Sequence, residues 1–338
     1  MRRAARLLPI LLVAIGGGLV HPAGASTGDN WEVHRVIPGG RIDAVASLGN
    51  GIVLAGSRNP KPGHIFRSTD CGETWTDLGN LLGEGLHTGS VTCIASAGEG
   101  VAYLVTGDAH VWKSADWGLT WTPLGQVSDM PRLEPYHFSY SITVLPSGTV
   151  LISNTNPDGG HVFRSEDGGA TWDDVGAISP KALYRFEKTS DGVLVNGWAG
   201  HVYKSADDGK TWADLGKLSD QALYATEYLE DGVVLQGGED GRIFRSDDFG
   251  ATWTEVARFP DSADDFVYLG NGVVLYSTYT GERNVYRSTD AGRTWASIGP
   301  VPAGAEGDTL DHAVAVPCGD AAVSVGGTAR GNILRYRP

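Results

Sequence analysis

Residues 222–253 read ALYATEYLEDGVVLQGGEDGRIFRSDDFGATW. Apolar and polar side chains alternate from Leu223 to Tyr228, the chain turns at Asp231-Gly232, and a second apolar run covers residues 233–236. A Gly-rich polar turn leads into a third run at 242–246, then a compact Asp-bearing turn, then a further strand opening at Trp253. Period-two alternation bounded by Gly and Asp marks short, half-buried strands. Four such strands fit in this span. Residues 182–212, ALYRFEKTSDGVLVNGWAGHVYKSADDGKTW, match it nearly position for position.

The compact turn recurs. RSTDCGETW begins at Arg67, KSADWGLTW at Lys113 and RSEDGGATW at Arg164; KSADDGKTW begins at Lys204, RSDDFGATW at Arg245 and RSTDAGRTW at Arg287. The copies lie 40 to 51 residues apart, and a four-stranded unit at this period is the signature of a propeller blade. Residues 312–338 supply three more strands without the turn. Residues 30–36, NWEVHRV, begin with Trp and alternate like the strand that follows each turn. The expectation is all-β: a seven-bladed β-propeller of four-stranded blades, the last closed by the N-terminal strand, with six blades as the alternative. Ring closure removes exposed sheet edges, so residues 26–338 are expected to form one domain.

The bulk composition fits this class. The 338 residues include 48 Gly and 10 Trp, and charged residues make up only 20% of the chain, unlike a disordered protein. A formal net charge of −14 argues against nucleic acid and against an anionic membrane surface as partners. At the N-terminus, Arg2, Arg3 and Arg6 precede the apolar stretch LLPILLVAIGGGLV, and Ala23-Gly24-Ala25 fits the small-residue cleavage rule. Residues 1–25 are therefore expected to be a secretion signal, leaving an exported chain with no span of the ~20 apolar residues a bilayer requires. Export permits disulfides, and the odd count of Cys71, Cys93 and Cys318 leaves one thiol over. No Cys or His spacing suggests a metal, and no cofactor is expected.

Within the repeated turn the carboxylates of Asp70, Asp116, Asp167, Asp207, Asp248 and Asp290 can accept backbone N–H bonds, and the Gly two residues on suits a positive φ. The closing residues Trp75, Trp121, Trp172, Trp212, Trp253 and Trp295 each offer a large ring to bury against neighbouring strands. The pattern Ser-x-Asp-x-Gly-x-Thr-Trp resembles the Asp-box, or BNR, motif. The chain is similar over almost all of its expected mature length to secreted Asp-box propellers: sialidases, xyloglucan-degrading endoglucanases, the sortilin ectodomain and a photosystem II assembly factor. The resemblance implies that the boxes are structural and lie away from the ligand-binding face. It implies little about function, because one fold hosts many chemistries.

A propeller ligand then belongs over the central channel. Eight residues before each strand-1 turn Gly stand Asp43, Thr92, Tyr140, Tyr184, Tyr224 and Asp264. One register in a ring becomes one layer, so these residues with Asp265 are expected to line a pocket, its tyrosines stacking on sugar rings. Packing of those tyrosines between blades is the alternative. Glu187 and Glu227 share a register in adjacent blades and are candidate acid/base carboxyls beside Asp43, Asp264 and Asp265. Arg41, Arg185, Trp198 and Arg283 are further candidate ligand contacts, and Asp311-His312 lies nearby.

The sialidase pattern of aromatic-Arg-Ile-Pro is not met, since Gly40 and Asp43 flank Arg41-Ile42. The xyloglucan-degrading enzymes close their cleft with two propellers, and this chain has the repeats for one. Two readings stand. One is a secreted binding propeller for a glycan, another polar ligand or a partner protein. The other is a glycoside hydrolase or polysaccharide lyase. The absence of a recognisable catalytic motif favours binding.

Overall fold

The computed structural model describes residues 19–20, 31–35, 40–59, 63–80, 90–127, 139–279, 284–300, 311–318, 321–327 and 332–336. Every regular element among them is a β-strand, and no helix among them is long and apolar enough to cross a membrane. The expected signal segment lies outside the described residues except for Leu19–Val20.

Each repeat folds as an antiparallel meander. The first sheet holds strands Arg41–Gly49, Ile52–Asn59, Ile65–Ser68 and Trp75–Asp77; the second Val91–Gly98, Val101–Thr106, His110–Ser114 and Thr122–Gln126. The third holds Ser139–Val144, Val150–Asn156, Gly159–Ser165 and Asp173–Ser179; the fourth Leu183–Thr189, Gly192–Gly197, His201–Ser205 and Ala213–Lys217. The fifth holds Leu223–Tyr228, Val234–Gly238, Arg242–Ser246 and Thr254–Arg258; the sixth Ala263–Gly270, Val273–Thr278, Asn284–Ser288 and Ala296–Pro300. The closing sheet takes Asp311–Cys318, Ala321–Gly327 and Asn332–Tyr336 from the C-terminal stretch, and Trp31–Arg35 as its outer strand. The first-named strand of each sheet faces the same strand of the next, and Asp311–Cys318 meets Arg41–Gly49 to complete a ring.

The expectation of seven four-stranded blades is corrected. Six blades are four-stranded, and the first sheet has five strands, with Leu19–Val20 paired antiparallel to Trp75–Asp77. Strand counting by repeat cannot register an addition from outside the repeat. The outer strand of that sheet is only three residues long, and its edge N–H and C=O groups are open to an extended segment.

Apolar side chains pack between each sheet and the next. Leu194 and Val202 of the fourth meet Leu223, Val234 and Phe244 of the fifth, and Val316 and Ile333 of the closing sheet meet Ile42, Val53, Phe66 and Trp75 of the first. The core is thus a series of face-to-face layers around the ring.

The boxes are self-contained hydrogen-bonded turns. Ser246 Oγ donates to Asp248 Oδ1 (2.7 Å) and accepts the Gly250 N–H (2.8 Å). Asp248 then accepts the Thr252 N–H (2.8 Å) on Oδ1 and the Thr252 hydroxyl (2.6 Å) on Oδ2. The same Asp-to-Thr pair of bonds closes the boxes of Asp70 and Asp116. The residue after the Asp and the Gly after that both have positive φ, 57° at Phe249 and 87° at Gly250. In the fourth sheet the Thr211 hydroxyl and N–H, with Ser205, hold Asp207 down at about 2. Asp248→Ala orphans Thr252 and Ser246 together and is expected to lower stability by about 1–3 kcal/mol in urea unfolding.

The box tryptophans need two corrections. The expected outer strand opens at the Trp only in the first sheet, where Trp75 pairs with Val20. Trp121, Trp172, Trp212, Trp253 and Trp295 instead end the turn, and their outer strands open one residue later, at Thr122, Asp173, Ala213, Thr254 and Ala296. The Asp-to-Thr bonds hold the chain in the turn up to that point. Full burial of the ring also fails to hold throughout. Trp75 and Trp121 are buried, whereas Trp172, Trp212, Trp253 and Trp295 are only partly so. Lying at the outer end of its sheet, each ring packs one side against the core and leaves the other in water. Trp121, Trp172 and Trp253 join the apolar layers of their own surroundings; Trp212 lies 6.0 Å from Phe186 and Trp295 the same distance from Phe266. The indole N–H groups of Trp75, Trp212 and Trp295 donate to the box Gly carbonyl at 3.1 Å. Those of Trp121, Trp172 and Trp253 are buried without an acceptor among the described residues.

The Arg or Lys ahead of the box Ser, to which the repeat pattern assigns no role, ties neighbouring sheets at four of the boxes. Arg67 Nε donates to the Trp117 carbonyl (2.8 Å), Arg164 Nε to Asp208 (2.7 Å), Lys204 Nζ to Phe249 (3.2 Å) and Arg245 Nε to Ala291 (2.9 Å). In the closing sheet, which has no box, Arg335 Nε donates likewise to Cys71 (2.9 Å). Each acceptor is the positive-φ residue just after the next box Asp.

Candidate functional site

The two faces of the ring differ. On one face the box meets the first hairpin turn of its own sheet, as where the Phe249 N–H reaches the Gly232 carbonyl (2.8 Å). The opposite face carries the start of each inner strand and the end of each second strand. There the Trp198 N–H donates to the Ala182 carbonyl (2.9 Å), Glu239 to Ala222 (2.8 Å) and Tyr279 to Ser262 (3.0 Å). Trp198, Glu239 and Tyr279 therefore occupy one equivalent position in three successive sheets.

The expected pocket layer turns out to be a row of β-bulges. Pairing of the inner strand with its neighbour skips Asp43, Thr92, Tyr140, Tyr224, Asp264 and His312, and in the fourth sheet Tyr184 with Arg185. A bulge adds one residue and re-aims the side chains that follow. The channel is consequently lined mainly one position further on. A cavity of about 180 Å³ is bounded in part by Asp43, Cys93, Ser141, Arg185, Glu187, Glu227 and Asp265. Tyr184 and Tyr224 are not among its walls. Their rings pair across the fourth and fifth sheets at 5.3 Å and 44°.

Asp43, Arg185, Glu187, Glu227 and Asp265 are thus brought together, from four different sheets. Arg185 reaches past the fifth sheet to pair with Asp265 of the sixth; burial works against its charge, and Asp265 and Asp264 more than restore it. Asp265 also accepts the Phe266 N–H (2.9 Å). Asp43, only 4% exposed, is held by Arg41 and by Arg58 Nη1 (3.2 Å).

Glu187 and Glu227 each accept a backbone N–H from the next inner strand: Tyr228 for Glu187, and Tyr268 for Glu227 (2.9 Å). Their side chains touch channel space but are mostly surrounded by protein, so they are desolvated all the same. Burial pushes Glu187 up to about 8. Burial and then the neighbouring Glu187 charge push Glu227 well above its ordinary value.

Cys93 carries a free thiol, raised by burial, whereas Cys71 is disulfide-bonded. Among the described residues no His, Cys, Asp and Glu group is arranged to hold a metal ion. Trp198 is 48% exposed and Tyr279 44%. Arg283 and the Tyr140 side chain lie outside the described residues.

Sequence reasoning missed Cys93 and Ser141 on the channel. It also missed the cross-strand pairs His64–Asp77, His161–Asp174 and His201–Asp214. Their signal was present, since each Asp stands two residues after the box Trp.

The profile of the family described as BNR-Asp box repeat matches residues 243–256, the segment in which the fifth-sheet box was found. The chain is a β-propeller whose sheets carry Asp-box turns. No curated protein matches it in sequence. Solved structures match this propeller in fold. The structure described as YCF48 bound to D1 peptide has a TM-score of 0.71 at 16% identity, covering 94% of this chain and 98% of that one. A catalytically inactive virginiamycin B lyase from Staphylococcus aureus with quinupristin has a TM-score of 0.71 at 11% identity, covering 91% and 99%. A GH74 enzyme of Niastella koreensis gives 0.62 at 16% identity; 89% of this propeller is covered but only 43% of that enzyme. One fold therefore spans a peptide complex, a lyase and a GH74 enzyme, and the likeness specifies no chemistry.

Proposed function

We propose that this chain is a secreted propeller that binds a polar ligand, a glycan or a partner protein, on the face opposite its Asp boxes, without turning it over. The observation that carries this reading is the placement of Trp198 and Tyr279. Each is about half exposed, and they occupy equivalent positions in the fourth and sixth sheets with exposed Glu239 between them in the fifth. A half-exposed Trp or Tyr in a short turn offers a rigid apolar face beside a hydrogen-bonding edge, the composition of a recognition surface.

The hydrolase reading draws on the raised carboxyls of Glu187 and Glu227, since a neutral acid beside an ionised one is the pattern of general acid catalysis. It is weakened by what those groups already do. Each accepts an N–H of the adjacent sheet, and Arg185 is committed to Asp265. These contacts fasten inner strands to one another around the channel.

The test has two arms. Affinity electrophoresis through soluble xyloglucan and pectin, together with a synthetic peptide array, is expected to find a ligand. Its binding should fall about tenfold or more in the Trp198→Ala/Tyr279→Ala double variant and persist in Glu187→Gln. The same polysaccharides are expected to release no reducing ends. Release by the wild type that Glu187→Gln abolishes would overturn the reading in favour of an enzyme.

A further inference from the structure

We propose that the rim shared by the fifth and sixth sheets, on the face opposite the boxes, is a docking site for a lysine- or arginine-bearing segment of a partner protein. The inference rests on the binding reading above and narrows its ligand.

The rim is tightly built. The turn at residues 238–241 packs against residues 259–261, where the Phe259 N–H donates to the Gly241 carbonyl (2.8 Å). A Cβ at Gly241 would fall 2.1 Å from the Phe259 carbonyl oxygen and 2.9 Å from that of Asp261. Only a glycine with its φ of +73° lets the two turns approach so closely. The approach gathers Glu239, Asp240 and Asp261 at one edge, and the bulge of the sixth sheet adds Asp264.

Beneath that edge lies the Tyr276 hydroxyl, on a side chain with no exposed surface and with no hydrogen-bond partner among the described residues. After burial, the carboxylates Asp264, Asp261 and Asp240 are among the charges that most disfavour its ionisation, which places it against the acidic edge. A buried hydroxyl without a partner is uncommon. Arg242 offsets part of the negative charge by pairing with Asp240, and Lys181 stands on the fourth-sheet side. Glu239 is exposed and engages no side chain among the described residues.

An organic cation suits this arrangement. Tyr279 and Trp198 flank the acids, and the π face of a Tyr or Trp attracts an ammonium or guanidinium group. A neutral sugar would use the rings but bring no charge to meet the exposed Glu239 carboxylate. The net charge of −14 adds long-range attraction for a basic partner. Its lysine or arginine would lie over Tyr279 with its charge met by Glu239, and Trp198 would cover the adjoining residue.

Fluorescence anisotropy with three labelled probes tests this: a Lys-Gly alternating decapeptide, its Glu-Gly counterpart and a xyloglucan oligosaccharide. The lysine peptide is expected to bind and to weaken sharply at high salt. Glu239→Gln combined with Tyr279→Ala should weaken it about tenfold, whereas Leu119→Ala, on the box face, should leave it unchanged. All three positions are exposed, so the variants keep the fold. Equal binding of the two peptides, or indifference to the double variant, would overturn the proposal. Oligosaccharide binding that depends on Trp198, with no lysine-peptide binding, would also overturn it while leaving the binding reading intact. Absence of binding by every probe would reject this proposal and count against the broader reading.

Discussion

Arg335→Ala is expected to lower stability by about 2–4 kcal/mol, as the sum of lost charge-assisted hydrogen bonds and the space left by a buried side chain. Arg335 is 2% exposed. Its Nε bonds the Cys71 carbonyl at 2.9 Å and its Nη2 reaches Glu73 at 3.2 Å. Glu73 is half in water, so its loss of a partner adds little. The Cys71 carbonyl and the vacated space dominate. Arg245→Ala removes the equivalent tie to Ala291 and serves as the comparison. Between the fifth and sixth sheets a short covalent connection survives when the tie is cut. Between the closing and first sheets the tie joins residues 264 apart in the chain, but there too a short covalent connection survives, because the outer strand Trp31–Arg35 of the closing sheet runs on into Arg41–Gly49 of the first. Native-state hydrogen exchange should therefore show protection lost first in the strand that carries the severed tie, Asn332–Tyr336 in Arg335→Ala and Arg242–Ser246 in Arg245→Ala. Arg335→Lys keeps the charge without the planar fork and should fall between. A loss under about 0.5 kcal/mol in both alanine variants would reject the tie as a stabilising element.

These ties show why the repeat was legible and its purpose was not. Ser, Asp, Gly and Thr recur because their bonds are local, closed within five residues, and local chemistry leaves a fixed spacing in the sequence. The Arg or Lys ahead of them recurs as faithfully, yet where it ties two sheets its partner is a backbone carbonyl one sheet away, and a carbonyl has no residue identity to read. The Trp spacing was equally plain, but how deeply each ring sinks depends on the neighbouring sheet, so Trp75 is buried where Trp172 and Trp295 are not. Sheet composition followed from the repeat, while Leu19–Val20 on the first sheet lay outside any repeat.

The candidate site divides along a similar line. Counting back from the turn Gly found a true layer, running from Asp43 through Tyr184 and Tyr224 to Asp264. What counting could not find was that every member sits at a bulge. Strict alternation is the assumption by which register becomes facing, and a bulge breaks it at the point that matters. Asp265 and Arg185 line the channel because of that extra residue, and Tyr184 and Tyr224 turn to each other instead. Glu187 and Glu227 were placed correctly in adjacent sheets, since they lie beyond the bulge where alternation has resumed. Trp198, Glu239 and Tyr279 all fall in loops between second and third strands, but that they hold one equivalent position on the rim emerges only in three dimensions.

Glu187→Gln is expected to flatten the alkaline side of the stability profile. The folded state holds the Glu187 proton up to about 8, against an ordinary value of 4.5. Between those values the folded chain binds more protons than the unfolded chain, so stability falls as pH rises through the window and the loss is complete above about 8. Glu227, raised by burial and by Glu187, adds to the same decline. The box carboxylates act with the opposite sign. Asp167, Asp207 and Asp290 are held at about 2 against 3.8, so their contribution is present above 3.8 and lost as pH falls towards 2. Wild-type stability should therefore peak at about pH 4–5, below the usual neutral optimum. Glutamine reproduces the neutral carboxyl and still accepts the Tyr228 N–H, so Glu187→Gln should match the wild type near the peak and melt at a higher temperature at about pH 8.5. Thermal melts across the pH range decide it. A wild-type profile that is level on the alkaline side, or a variant that declines in parallel with it, would mean that the channel keeps its carboxyls well hydrated. In that case the two glutamates would be ionised at neutral pH, and their placement in the channel would need an explanation other than holding the inner strands together.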